Sequence, residues 1–155
     1  MVNIRKAPQD NFPPLLHLTY DLQQLSDRIL GPRAGIGLGQ ARIMSGLHTA
    51  IPRSQRELAS ALHQTEANIS RQLKLMHAQK LVSITRNKKD GRQRDVKLTA
   101  KGAKTYKLAL KSLAMQQNEL MKLVDQKERK AFEQVSSHLI SALGVKDSKR
   151  RKFLG

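Results

Sequence analysis

Apolar residues recur at intervals of three and four through Leu15, Leu18, Leu22, Leu25 and Ile29, which places them on one stripe of a helix. Gly31-Pro32 reads as its stop, and Gly35, Gly37 and Gly39 mark a loop. Ala41, Ile43, Met44 and Leu47 predict a second, shorter helix ending near His48. Ala50-Ile51-Pro52 has room for one extended pairing at most. Ser54-Gln55-Arg56-Glu57 fits a capping box, in which the serine hydroxyl and the glutamate carboxylate each take the other's backbone N–H. Leu58, Ala59 and Leu62 give the helix that follows its buried side. Gln64-Thr65 interrupts the pattern, and Thr65 suits an N-cap. The next helix turns Ile69, Leu73 and Met76 inward and Asn68, Ser70, Arg71 and Lys74 outward.

The period then shortens to two. Leu81 to Arg86 alternates, and so does Arg94 to Thr99, with the turn former Asp90-Gly91 between them. This predicts a hairpin carrying Arg86, Lys88, Lys89, Arg92, Arg94 and Lys97. Thr99 can cap a long helix reaching about Val124, with a stripe of Tyr106, Leu110, Leu113, Leu120 and Val124 and Gln117 at the skipped position. Asp125-x-x-Glu128 is a further capping-box start. It opens a last helix with Phe132, Val135, Leu139 and Leu143 on one face, ended by Gly144. Residues 1–14 read as a polar, proline-containing arm, and 145–155, with Lys149 to Lys152, as a mobile basic tail. The class expected is mainly α with a small β wing.

Composition narrows the function. Of 155 residues, 29 are Lys or Arg against 12 Asp or Glu, a net charge of +17 that attracts nucleic acid, an anionic membrane or an acidic protein. Aromatic residues make up 3% of the chain, too few for modules that stack single-stranded bases on rings. There is no cysteine, hence no disulfide, thiolate metal site or thiol redox sensor. Charges interrupt every apolar run, so no membrane partner is expected, and the compartment expected is the cytoplasm, in association with the nucleoid. His17, His48, His63, His77 and His138 are scattered, with no H-x-x-x-H spacing, so no metal, cofactor or catalytic centre is expected and the chain is not read as an enzyme. Gly35-Ile-Gly-Leu-Gly39 lacks the preceding strand of a phosphate-binding loop.

Two short helices, the second polar and basic outward, followed by a basic hairpin, are the parts of a winged helix-turn-helix. Such a helix meets double-stranded DNA in the major groove. Asn pairs with adenine and Arg with guanine through two hydrogen bonds, so Asn68 and Arg71 are the candidate base readers. Thr65, Ser70 and Lys74 suit phosphates, and Ser54 and Gln55 stand in support at the start of the preceding helix. The alternative for all of these is an ordinary solvated helix face. At the wing, Arg92 is placed for the minor groove, whose negative potential is greatest where A·T-rich sequence narrows it. Asp90, folded back on Arg92, would fix the guanidinium; otherwise Asp90 is only a turn former and the basic tip only a solvated loop. The stripes at Leu15 to Ile29, Tyr106 to Val124 and Phe132 to Leu143 exceed what one small reader domain covers, which points to a partner surface. Packing of the three helices within one chain is the alternative.

The order helix, helix-turn-helix, wing and two long helices resembles the multiple-antibiotic-resistance regulator (MarR) family of transcription factors. Asp90-Gly-Arg92-Gln-Arg-Asp-Val96-Lys-Leu98-Thr99-Ala-Lys-Gly102 is similar to that family's wing pattern. Arg56-Glu57-Leu58-Ala59 resembles its first helix-turn-helix helix, and Ile69-Ser70-Arg71 the centre of its recognition helix. Lys80 departs from it, standing where the family often has Gly, which puts that turn in question. The resemblance, from about Leu15 to Leu143, implies a homodimer on a pseudopalindromic operator, usually a repressor. It implies a dimerisation helix at 15–31, a DNA-binding domain at 38–99 and dimerisation helices at 100–144. Leu15, Leu18, Leu22, Leu25, Leu113, Leu120, Phe132, Val135 and Leu139 would then form the dimer interface. Many members also bind a small-molecule effector, but no residues here mark its pocket. The rival reading is an architectural, nucleoid-associated protein with little sequence preference. Phosphate neutralisation by so basic a chain gives strong, salt-sensitive binding without reading any base.

Overall fold

The computed structural model describes residues 12–48, 51–87 and 90–143. The arm to residue 11, Lys88, Lys89, Gly144 and the basic tail lie outside the described residues. The chain divides into two compact units, Met1–Ala114 and Met115–Gly155.

In the first unit, α1 (Pro14–Ala34) is followed by α2 (Leu38–Leu47), β1 (Arg53–Ser54), α3 (Gln55–Ala61), α4 (Glu66–Ala78), β2 (Val82–Arg86) and β3 (Arg94–Leu98). The first part of α5 (Ala100–Met121) completes it. The predicted helices, hairpin and caps all form. The strands make one antiparallel sheet in the order β1-β3-β2, with Arg53 opposite Val96 and Ile84 opposite Val96 on the other side. The short pairing falls on Arg53 and Ser54, just after Pro52. Proline offers no N–H to a ladder, and the two residues after it do.

Seven large side chains, Leu30, Ile43, Met44, Leu58, Ile69, Met76 and Val96, are fully buried, so each helix from α1 to α4 and strand β3 contributes at least one. Val82 of β2 and Tyr106 and Ala109 of α5 join the same cluster. One expectation is overturned here: α1 does not stop at Gly31-Pro32 but carries Pro32 inside it as far as Ala34. Proline removes a single helical hydrogen bond, tolerable this near an end. Ala34 and Ile36 pack onto the core, and Gly35, left-handed at φ 66°, closes the helix by donating to the Gly31 carbonyl at 2.9 Å. The loop is also shorter than expected, since Gly39 lies within α2.

α5 approaches the sheet closely. The Thr99 N–H donates to the Leu81 carbonyl at 3.0 Å, and the Thr99 hydroxyl accepts from the Gly102 N–H at 3.0 Å, capping the helix as expected. A Cβ on Gly102 would lie 2.0 Å from the Leu81 oxygen, so no larger residue fits this approach.

The second unit holds the end of α5 and α6 (Gln126–Ala142). Asp125 and Glu128 form the expected capping box, each carboxylate accepting from the other's N–H at 2.8 Å. Arg129 ties the turn by donating to the Met121 carbonyl at 2.6 Å. No residue of α6 is buried, and its apolar face, with Phe132, Val135 and Leu139, is exposed.

Candidate nucleic-acid interface

The α3–α4 pair is held by local chemistry at each end. Ser54 accepts from the Glu57 N–H at 3.2 Å, and a Glu57 carboxylate oxygen accepts from the Ser54 N–H at 2.6 Å and from its hydroxyl at 2.9 Å. These bonds, the backbone one first, hold the Glu57 carboxyl below its ordinary value of 4.5, with the Arg53 charge assisting against partial desolvation. Ser54 is buried with its hydroxyl engaged, so its support is to the helix start. Gln55 bridges the two helices, donating to the Glu66 carbonyl at 3.1 Å.

Both helices end with a non-glycine residue in the left-handed region, His63 at φ 52° and Lys80 at φ 60°. After α3, the Gln64 N–H reaches the Ala59 carbonyl at 2.9 Å; after α4, the Leu81 N–H reaches that of Met76 at 2.8 Å and the Lys80 N–H that of His77 at 2.9 Å. These are Schellman closures. Lys80 therefore adopts the geometry that a glycine would take there, at a strain of about 1 kcal/mol.

Thr65 caps α4, accepting from the Asn68 N–H at 3.2 Å. Asn68 is half-buried, and its amide donates to the Gln64 side chain at 2.9 Å. Arg71 and Lys74 are exposed, Ser70 half-buried. Gln64, which orients Asn68, was not singled out from the sequence; its position four residues ahead was the available signal. Leu75, 53% exposed, was also passed over, although it lies off the Ile69-Leu73-Met76 stripe.

The wing is stiffened by a polar network. Arg86 donates through Nε to the Gly91 carbonyl at 2.7 Å. Asn87 accepts from the Asp90 N–H at 2.9 Å and donates to Asp95 at 2.8 Å. Asp90 does not hold the Arg92 guanidinium. Its carboxylate accepts instead from the Arg92 backbone N–H at 3.0 Å and from the Gln93 amide at 3.0 Å. A short aspartate side chain reaches the backbone two residues on more readily than the end of a long arginine. Among the described residues, the guanidinium groups of Arg71, Arg92 and Arg94 and the Lys74 ammonium have no ion-pair or hydrogen-bond partner. Their charge is directed at solvent.

A cleft of about 290 Å³ separates α4 from the hairpin, lined by Lys74, His77, Ala78, Ile84 and Arg94. A second concavity of about 370 Å³ lies on the wing, lined by Ile84, Thr85, Arg86, Gly91, Arg92 and Arg94. The fold thus brings Lys74 of α4 and Arg94 of the wing to one opening, with His77 and Ile84 as lining that sequence reasoning had not assigned. Lys88 and Lys89 fall outside the described residues.

A capped helix pair, an exposed cationic second helix and a three-stranded sheet ending in a basic hairpin define a winged helix-turn-helix protein. Residues 34–93, the segment that holds the helix pair and most of the wing, match the sequence model of the MarR family. The fold is shared with MepR of S. aureus solved in complex with DNA: TM-score 0.73, 18% identity, covering 84% of this chain and 98% of that one. A mutant MarR of E. coli complexed with operator DNA gives TM-score 0.67 and 23% identity, covering 82% and 94%. The transcriptional repressor CouR, bound to a 23-mer DNA duplex, gives TM-score 0.73 and 22% identity, covering 81% and 88%. No curated protein matches the chain. Among the described residues, no helix is long and apolar enough to cross a membrane.

Proposed function

We propose that this chain is a transcriptional regulator that binds double-stranded DNA as a homodimer, with α4 in the major groove and the wing at the minor groove, and acts as a repressor on a pseudopalindromic operator. The observation that carries this reading is the unpartnered set Arg71, Lys74, Arg92 and Arg94, spread from α4 across the cleft to the wing. A duplex backbone passing between its two grooves would lie over that cleft, with Lys74 and Arg94 on either side of a phosphate. The relatives solved on DNA support the same reading. Exposed apolar residues on α1 (Leu15 and Leu18) and on α6 (Phe132, Val135 and Leu139) offer surface to a second copy. Leu22, Leu25, Leu113 and Leu120 are half-buried and would complete it.

Selection of bound sites from a random duplex pool at near-physiological salt tests the proposal. The expected product is an inverted repeat with half-sites about one helical turn, roughly 10 base pairs, apart. Enrichment of no preferred sequence would overturn the regulator and favour an architectural protein bound by charge.

A further inference from the structure

We infer that Leu75 is a specificity-determining residue that reads the C5-methyl group of thymine in the major groove; the inference rests on the placement of α4 proposed above. Helical geometry at about 100° per residue puts Ala67, Arg71, Leu75 and Ala78 within an arc of about 80°. All four are exposed, and Leu75 is 53% exposed. The buried residues of the helix, Ile69, Leu73 and Met76, occupy the opposite side. Lys74 and Asn68 flank this arc, one at each edge, and between them a single guanidinium is set among three apolar side chains. A face built only to hold phosphates would carry donors there. Among the edges a base pair shows in the major groove, the thymine methyl is the one apolar feature. Leu75 stands one turn beyond Arg71 on the same side, so a guanine held by Arg71 and a thymine against Leu75 would be close neighbours in the site.

The test uses the full chain and the duplex it selects, remade with deoxyuridine replacing each thymine in turn, so that only the methyl group is lost. Wild-type protein should lose about fourfold in affinity at one thymine of a half-site, the scale of one buried methyl group. Leu75→Ala should bind the thymine and uracil duplexes equally, and Leu75→Met, which keeps an apolar reach, should retain the preference. Both variants sit on an exposed helical position with good helix formers, so folding is preserved. A wild-type protein that selects a sequence yet ignores every methyl group would overturn the inference and leave the regulator standing. Equal sensitivity in Leu75→Ala would remove Leu75 as the reader. If no sequence is selected at all, the proposed regulator fails, and this inference fails with it.

Discussion

Replacing Gly102 by alanine sets two effects of opposite sign against each other. In the first turn of α5, where Gly102 stands, alanine is favoured over glycine by no more than the roughly 1 kcal/mol of a helix interior. At this position the new Cβ would stand 2.0 Å from the Leu81 oxygen and 2.9 Å from its carbon, where ordinary contact begins at 3.4 Å. α5 would have to retreat by 1.4 Å from a backbone group that cannot rotate away. That retreat stretches the Thr99 N–H bond to Leu81 and the Thr99 hydroxyl cap on Gly102, both 3.0 Å. Overpacking of this kind costs about 3 kcal/mol, so the net change is about 2 kcal/mol of destabilisation. For a chain of this length the melting temperature should fall by about 4–8 °C, measured by thermal denaturation at fixed protein concentration. Gly39→Ala is the control, because Gly39 stands in the first turn of α2, as Gly102 does in α5, and a Cβ there meets nothing within 4 Å. It should raise the melting temperature by about 2 °C through helix propensity. If Gly102→Ala rises in step with Gly39→Ala, the close approach of α5 to Leu81 is wrong.

Lys80→Gly should stabilise the chain by about 1 kcal/mol, since it relieves the left-handed backbone at φ 60°; urea denaturation reads this, and a loss of stability would contradict the strain. Because the folded Glu57 carboxyl is held below 4.5, its contribution is full above that value and is lost as pH falls through the lower folded value. Denaturation of wild type and Glu57→Gln across pH should therefore show a gap at neutral pH that closes in acid; a constant gap would mean that the charge is irrelevant. Arg92→Ala should weaken DNA binding most on sites with A·T-rich flanks, and equal losses on all flanks would count against minor-groove insertion. Arg71→Ala should relax base preference by about 1–3 kcal/mol at one position, whereas Lys74→Ala should weaken all sequences alike and reduce the salt slope by about 1; an exchange of these outcomes would reverse the two roles.

The sequence by itself determined the features that depend on neighbours a few residues apart. The boxes at Ser54-Glu57 and Asp125-Glu128 and the caps at Thr65 and Thr99 were legible because donor and acceptor lie within one helical turn. The hairpin was legible because Asp90-Gly91 sits between two alternating runs. Arg71 and Lys74 could be placed outward because Ile69, Leu73 and Met76 fix the inward side. Where local rules misled, a competing contact was stronger. Pro32 did not stop α1, because Ala34 and Ile36 bury themselves on the core beyond it. Asp90 chose the backbone over the guanidinium. Lys80 departed from the family's glycine yet kept a left-handed turn, since two closing hydrogen bonds and a buried Leu81 outweigh about 1 kcal/mol of strain.

Only the tertiary structure decided what residues far apart in the chain do together. It put Lys74 and Arg94 on one cleft, joined Gln55 to the start of α4, and made Gly102 obligatory through a carbonyl 21 positions earlier. It also left Leu75 in solvent beside Arg71. Periodicity says which side of a helix is apolar, but not how near another backbone will come or which exposed side chain will stay uncovered. Those distances follow from packing the core, where side-chain volumes from every element must fit at once.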